Sequence, residues 1–200
     1  MLVLKDSSKR TNTEQMLQTD KVIPPEENVG ALSEHEIATM TESEAFREWA
    51  GEDWRGAGGV LSDGETLTIY YHGGNPDIPV FNRDNPRRTG AHEQGIYFSP
   101  RVDDARFYAE NLAAEKLEEG LEPEASIYAV ALKMHRPLIT ETTDMFSSAS
   151  MAEVPRDAEG KQYDGVINPK SQEVVVFDPS QVYIIKEMPH RLHRKVRGDI

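Results

Sequence analysis

The chain contains no cysteine. Disulfides, thiolate metal sites and thiol nucleophiles are thereby excluded together, and a reducing, cytoplasmic setting is the one this composition fits. Long apolar runs are missing as well: nothing approaches the roughly 18 residues of a membrane span, and "MLVLKDSSKR" has no apolar stretch of the secretory type. Neither a membrane partner nor export is therefore expected. Positive charge is scarce, with 22 Lys and Arg against 35 Asp and Glu and a net charge of -13. Such a field repels polyanions, so sequence-independent nucleic-acid binding is disfavoured. The "HE" pairs at His35-Glu36 and His92-Glu93 lack the second histidine of a zinc-protease motif, so no metal is expected. "GAGG" at residues 56–59 is followed neither by lysine nor by a strand-to-helix unit, and reads as a turn.

What is present suits one domain of modest core plus an arm: 200 residues, 38% hydrophobic and 28% charged. Residues 1–33 are polar and include "IPPEENVG", too little apolar surface to offset ordering entropy, and read as a mobile N-terminal arm. Residues 34–188 form the expected catalytic domain, and 189–200 a basic, solvated tail. Ser33 to Glu36 is a capping box, and Ile37, Met40, Ala45, Phe46 and Trp49 follow at helical spacing, predicting one helix or a broken pair.

A turn at Asp63-Gly64 and a strand from about Thr66 to His72 come next, then a long loop from Asn75 to Gln94. "GIYFS" is a short strand, and "SPRVDDARFYAENLAAEKLEEG" a helix with acidic residues at its start and Gly120 at its end. "SIYAVALKM" alternates as a half-buried strand should, "PLIT" extends it, and Asp144 to Glu153 reads as a small helix. "YDGVIN", "EVVVF" and "VYIIKEM" are three further strands. Helices first and strands later, with one long central helix, predict an α+β fold with antiparallel sheets.

Three stretches carry candidate chemistry: "YYHGG", "GIYFSPRVDDARFYAE" and "QEVVVFDPSQV". Taken singly, a histidine ending a strand is most often structural, a tyrosine in "GIYF" core, and Glu173 a surface residue at a strand entry. Taken together and in this order, they resemble the His-Tyr-Glu signature of the diphtheria-toxin and poly(ADP-ribose) polymerase class of ADP-ribosyltransferases. His72-Gly73, Tyr97, Tyr108 and Glu173 fall on that pattern, and the resemblance runs from about Phe46 to Lys186. "FREWAG" with "DGETLTIYYHG" further resembles the ADP-ribosyltransferase-like domains of phage and prophage polyvalent proteins.

The resemblance implies a fold of two packed, mainly antiparallel sheets (a split sheet) with flanking helices, and NAD as the substrate. It implies that Tyr97 and Tyr108 stack on the nicotinamide, that the Gly73 backbone meets its carboxamide and that His72 bonds the adenosine ribose. Glu173 then bonds the nicotinamide ribose and opposes the positive charge that develops on it. Where relatives carry a serine three residues before the second tyrosine this chain has Ala105; Ser99 either compensates or simply caps the helix. Mono-ADP-ribosylation of a macromolecule, a protein before a nucleic acid, is the activity expected. An NAD glycohydrolase toxin using the same site and a non-catalytic NAD or ADP-ribose-binding module are the alternatives.

Overall fold

The computed structural model describes residues 32–55, 58–62, 66–81, 95–141 and 154–191. The N-terminal arm to residue 31, the Asp63-Gly64 turn, the small helix at 144–153 and the tail beyond 191 lie outside the described residues. Ser33 opens α1 (Glu34–Glu42) with the complete capping box, its hydroxyl accepting the Glu36 N–H at 3.2 Å while the Glu36 carboxylate accepts the Ser33 N–H at 2.8 Å. A single residue later Ser43, in extended conformation, caps α2 (Glu44–Ala50) by accepting the Phe46 N–H. The helical segment is therefore the broken pair. Its inner side seats Phe46 edge-on against Trp54 at 5.6 Å and Tyr183 at 5.3 Å, closing a satellite core with Val60, Leu67 and Ala131.

The first sheet has the order β1-β3-β7, from β1 (Tyr70–Gly74), β3 (Glu124–Leu132) and β7 (Val182–Arg191), antiparallel throughout. The second has the order β2-β6-β5-β4, from β2 (Ile96–Phe98), β6 (Val174–Val176), β5 (Gly165–Ile167) and β4 (Pro137–Ile139). It is antiparallel except for the parallel β4–β5 pair. The architecture is α+β with two mainly antiparallel sheets, as the ADP-ribosyltransferase-type fold requires. Among the described residues, no helix is long and apolar enough to cross a membrane.

Several expectations shift in detail, and "PLIT", instead of extending β3, forms β4 in the second sheet. β1 begins at Tyr70 instead of Thr66, because Leu67 is engaged with Ser62 and only from Tyr70 does the chain meet Val130 on β3. β3 is buried along all of Ala125–Leu132 instead of on alternate residues. The long helix α3 (Val102–Glu118) lies over the first sheet through its buried Ala105, Ala109 and Ala113. The second sheet covers the sheet as well, sharing a core in which Tyr128, Val130 and Leu132 meet Ile96, Phe98, Val174 and Val176. α3 ends as expected, with Gly120 at φ 76° and the Leu121 N–H returning to the Lys116 carbonyl at 2.8 Å. β7 continues to Arg191, which pairs with Glu124, so Pro189–Arg191 belong to the sheet.

Candidate active site

The two sheets touch where Tyr71 and Ser99 exchange backbone hydrogen bonds of 2.7 and 3.1 Å. Backbone groups alternate sides along a strand, so Gly73 turns its N–H and C=O to the same edge of β1 as Tyr71, where β2 has already left. The His72 ring spans this gap, with Nδ1 2.8 Å from the Tyr97 carbonyl oxygen. A carbonyl only accepts, so Nδ1 carries the hydrogen and Nε2 of the neutral ring is an acceptor. Phe81 meets the imidazole edge-on at 5.0 Å and Phe98 tilts against it at 5.5 Å, fixing its plane.

Packing alone requires a glycine at 73. A Cβ built on it would lie 2.1 Å from the Ala105 carbonyl oxygen and 2.7 Å from the Ala109 nitrogen. α3 therefore rests on the strand itself, which also accounts for alanine at 105: a small residue lets the helix come this close.

The second sheet sets out the remaining residues in rows. Tyr97 pairs with Val175, and Val175 with Val166; two positions on along the three strands, Ser99, Glu173 and Asn168 follow in the same order. The Asn168 N–H to Glu173 carbonyl bond of 3.0 Å confirms that register. All six side chains rise from one face, because equivalent positions in paired strands share a face. Tyr97 is half-buried, leaning on Val166, Val175 and Phe177. Val174 and Val176 fill the core between the sheets, so "VVV" is buried on both faces and Glu173 stands at its mouth.

Glu173 is half-buried, and the Ser171 hydroxyl donates to its Oε2 at 3.0 Å. Gln172, immediately before it, takes a left-handed φ of 62°, a conformation that costs a non-glycine residue about 1–2 kcal/mol. Such backbone is held only where the surroundings enforce it.

Tyr108 projects from α3 with its side chain exposed beside Phe107. Partial burial, then the negative charges of Glu173 and Asp104, push its phenol above its ordinary 10, so the ring is neutral near neutral pH and lies within the field of both carboxylates. Ser99 is 6% exposed; its hydroxyl donates to Asp104 at 2.5 Å and accepts the Arg101 N–H at 3.1 Å. Arg101 also pairs with Asp104 at 2.9 Å. The serine thus organises the entry to α3, with its own proton committed to Asp104.

Four residues near this site lie outside the candidate set read from the chain: Asp104, Asn168, Ser171 and Glu187. The last continues a row of the first sheet that starts at His72 and passes through Tyr128. Its Oε1 accepts from Ser126 Oγ at 2.6 Å and from the Asp77 N–H at 3.0 Å, and lies 3.0 Å from the Tyr128 hydroxyl, which also donates to the Asn75 carbonyl. Together they pin the turn that follows His72-Gly73. The Ser126 hydrogen bond, then those of Asp77 and Tyr128, hold the Glu187 carboxyl below its ordinary 4.5 against the opposing effect of burial. A depressed folded-state pKa means stability present at neutral pH and lost as pH falls from the unfolded value through the folded one. In thermal melts between roughly pH 5 and pH 3, Glu187→Gln should lose stability less steeply than the wild type; parallel curves would remove Glu187 from the acid response.

A separate cleft of about 690 Å³ between α1, α2 and Thr66–Leu67, lined by Ile37, Arg47, Trp54 and Arg55 among others, shares no residue with this site. Among the described residues, no group of three or more His, Cys, Asp or Glu is placed to hold a metal ion.

His72, Gly73, Tyr97, Ser99, Tyr108 and Glu173 thus converge on one edge, where β1 and β2 part beneath the start of α3. In comparison with known proteins, no curated protein matches the chain. The family model described as ADP-ribosyltransferase in polyvalent proteins matches residues 62–189, a span that includes all six of these residues. With well over half of its length inside that match, the chain belongs to the ADP-ribosyltransferases of polyvalent proteins.

Proposed function

We propose that the chain transfers a single ADP-ribose from NAD to a macromolecular acceptor, a protein in preference to a nucleic acid, with release of nicotinamide. In this reaction the bond between nicotinamide and ribose breaks, its electron pair leaves with nicotinamide, and an acceptor nucleophile bonds to the ribose carbon and gives up its proton. The observation that carries the reading is the half-buried Glu173 at the mouth of β6, two residues from the Val175 that pairs with Tyr97 and within electrostatic reach of Tyr108. A carboxylate fixed there stabilises the positive charge of an oxocarbenium-like ribose more than it stabilises NAD itself.

In this reading the open Gly73 N–H and C=O take the carboxamide, the His72 ring bonds a ribose hydroxyl, and Tyr97 and Tyr108 bound the nicotinamide ring. A net charge of -13 disfavours a polyanionic acceptor, which supports protein over nucleic acid. The proposed phage or prophage setting, and with it a bacterial host's cytoplasm, rests on the polyvalent-protein family alone.

Incubation of the protein with NAD labelled in its adenylate, together with a bacterial lysate, tests the reading. Label on protein supports transfer. Free ADP-ribose with no labelled macromolecule makes the protein an NAD glycohydrolase, and NAD binding without turnover makes it a binding module. Because Tyr108 is exposed, its loss should leave the fold intact and act on NAD: Tyr108→Ala should weaken NAD affinity about 2- to 12-fold, the equivalent of a stacking contact of about 0.5–1.5 kcal/mol. Tyr108→Phe, which keeps the ring, should bind as the wild type does. Isothermal titration of NAD into the three proteins measures this directly, and equal affinities would remove Tyr108 from the site.

A further inference from the structure

Asn168 is fully buried, and its Nδ2 has no hydrogen-bond partner. Buried amide donors are nearly always paired, since an unpaired one keeps the cost of its lost hydration with nothing to offset it. The other half of the same amide is fully used. Oδ1 accepts the Lys170 N–H at 2.9 Å and the Ser171 N–H at 3.1 Å, closing the turn between β5 and β6. Two N–H donors require an oxygen between them, which settles the end of the amide that is nitrogen.

Asn168 is also the cross-strand partner of Glu173, its N–H bonded to the Glu173 carbonyl at 3.0 Å, so their side chains rise from one face. The Glu173 carboxylate is held at one oxygen only: Ser171 Oγ donates to Oε2, and no described residue donates to Oε1. An unpaired donor and an unpaired acceptor thus stand on adjacent positions. Cβ atoms of such partners lie about 5 Å apart, a separation that the two side chains span by rotation of Glu173 without backbone movement.

We infer that Asn168 is the positioning residue of Glu173: its Nδ2 donates to Oε1 and, with Ser171 on Oε2, holds the carboxylate fixed in aim. The inference rests on the reading of Glu173 as the carboxylate that serves the ribose. Hydrogen bonds to an ionised carboxylate stabilise that form, so loss of the Nδ2 donor would favour protonation of Glu173 relative to the wild type.

Two substitutions separate this role from that of a turn residue. Asn168→Ser keeps a side-chain oxygen that can accept the Lys170 and Ser171 N–H groups, and with it the turn, while removing the amide donor and adding no charge. Asn168→Ala removes the turn as well. If Asn168 served the turn alone, the serine variant would release nicotinamide at the wild-type rate and only the alanine variant would be slow. Action through Nδ2 makes the serine variant as slow as the alanine variant, about tenfold or more below the wild type, with KM for NAD little changed. It also moves the acid limb of its rate profile to higher pH. A serine variant with the wild-type rate and pH profile overturns the inference. Titration of the Glu173 carboxyl by carbon-13 NMR in the NAD-free protein requires no turnover: in Asn168→Ala its midpoint should lie at higher pH than in the wild type. An unshifted titration overturns the assignment. A wild type that consumes no NAD would sink the transferase reading, and the titration would then decide Asn168 by itself.

Discussion

Replacing Glu173 by glutamine should lower the rate of nicotinamide release from NAD by about a hundredfold or more, while the dissociation constant for NAD changes by no more than about threefold. Glutamine matches glutamate in shape and still offers an oxygen to the Ser171 hydroxyl, so the turn and the strand mouth should persist. What is lost is a full negative charge, at a position where positive charge grows as the nicotinamide bond breaks. Removing one preorganised electrostatic partner of a transition state costs about 3 kcal/mol, which is about a hundredfold in rate. Ground-state NAD has less to lose, because its charge lies on the nicotinamide ring and not yet on the ribose. Stopped-time assays of nicotinamide release, paired with calorimetric titration of NAD, separate the two effects. A variant as fast as the wild type would remove Glu173 from the chemistry. Weakened binding with an undiminished maximal rate would make it a binding residue only.

The features of this fold that could be read from the chain are those whose cause is local. The S-x-x-E box at Ser33, the acidic start of α3 and the glycine at its end act within one turn of helix, and all three stand in the structure. "GIYF" and "EVVVF" declared themselves as strands by β-branched and aromatic content, and their pairing through Tyr97 and Val175 places Tyr97 and Glu173 on one face. Pattern fails where the deciding partner is far away in sequence. Thr66 to Ile69 have the composition of a strand, but β1 starts only where β3 is there to receive it. The alternation in "SIYAVALKM" signals one wet face, and both faces are dry because α3 and the second sheet cover them. Asn168 shows the same limit at the site. In "INPKSQE" it reads as a turn residue, which its Oδ1 confirms, whereas its place beside Glu173 follows from the register of β5 on β6. Ser99 likewise offered two readings, and its bond to Asp104 shows that helix entry engages its hydroxyl.

Gly73→Ala should abolish NAD turnover and destabilise the protein by about 1–3 kcal/mol, the usual cost of an overpacked contact. The added methyl would sit 2.1 Å from the Ala105 carbonyl oxygen and 2.7 Å from the Ala109 nitrogen. Both are helix backbone atoms, so no rotamer change relieves the clash, and α3 must move away from β1. α3 is seated on the sheet by the alanine stripe at 105, 109 and 113, so it cannot shift at one turn without lifting Tyr108 from its place opposite Glu173. The displacement also reaches the neighbouring His72, whose bond to the Tyr97 carbonyl ties β1 to β2. A control of matched chemistry distinguishes strain from site damage. Gly120→Ala places its methyl where nothing lies within 4 Å, and its only penalty is the left-handed φ of 76°. That costs about 1–2 kcal/mol at the far end of α3. Each kcal/mol lowers the melting temperature of a domain this size by about 2–4 °C, so both variants should melt earlier than the wild type. Only the Gly73 variant should lose turnover, because only there does the same small group separate the helix that carries Tyr108 from the strand that carries His72. Wild-type rates in a stably folded Gly73→Ala protein would mean that the close seating of α3 on β1 serves the fold alone.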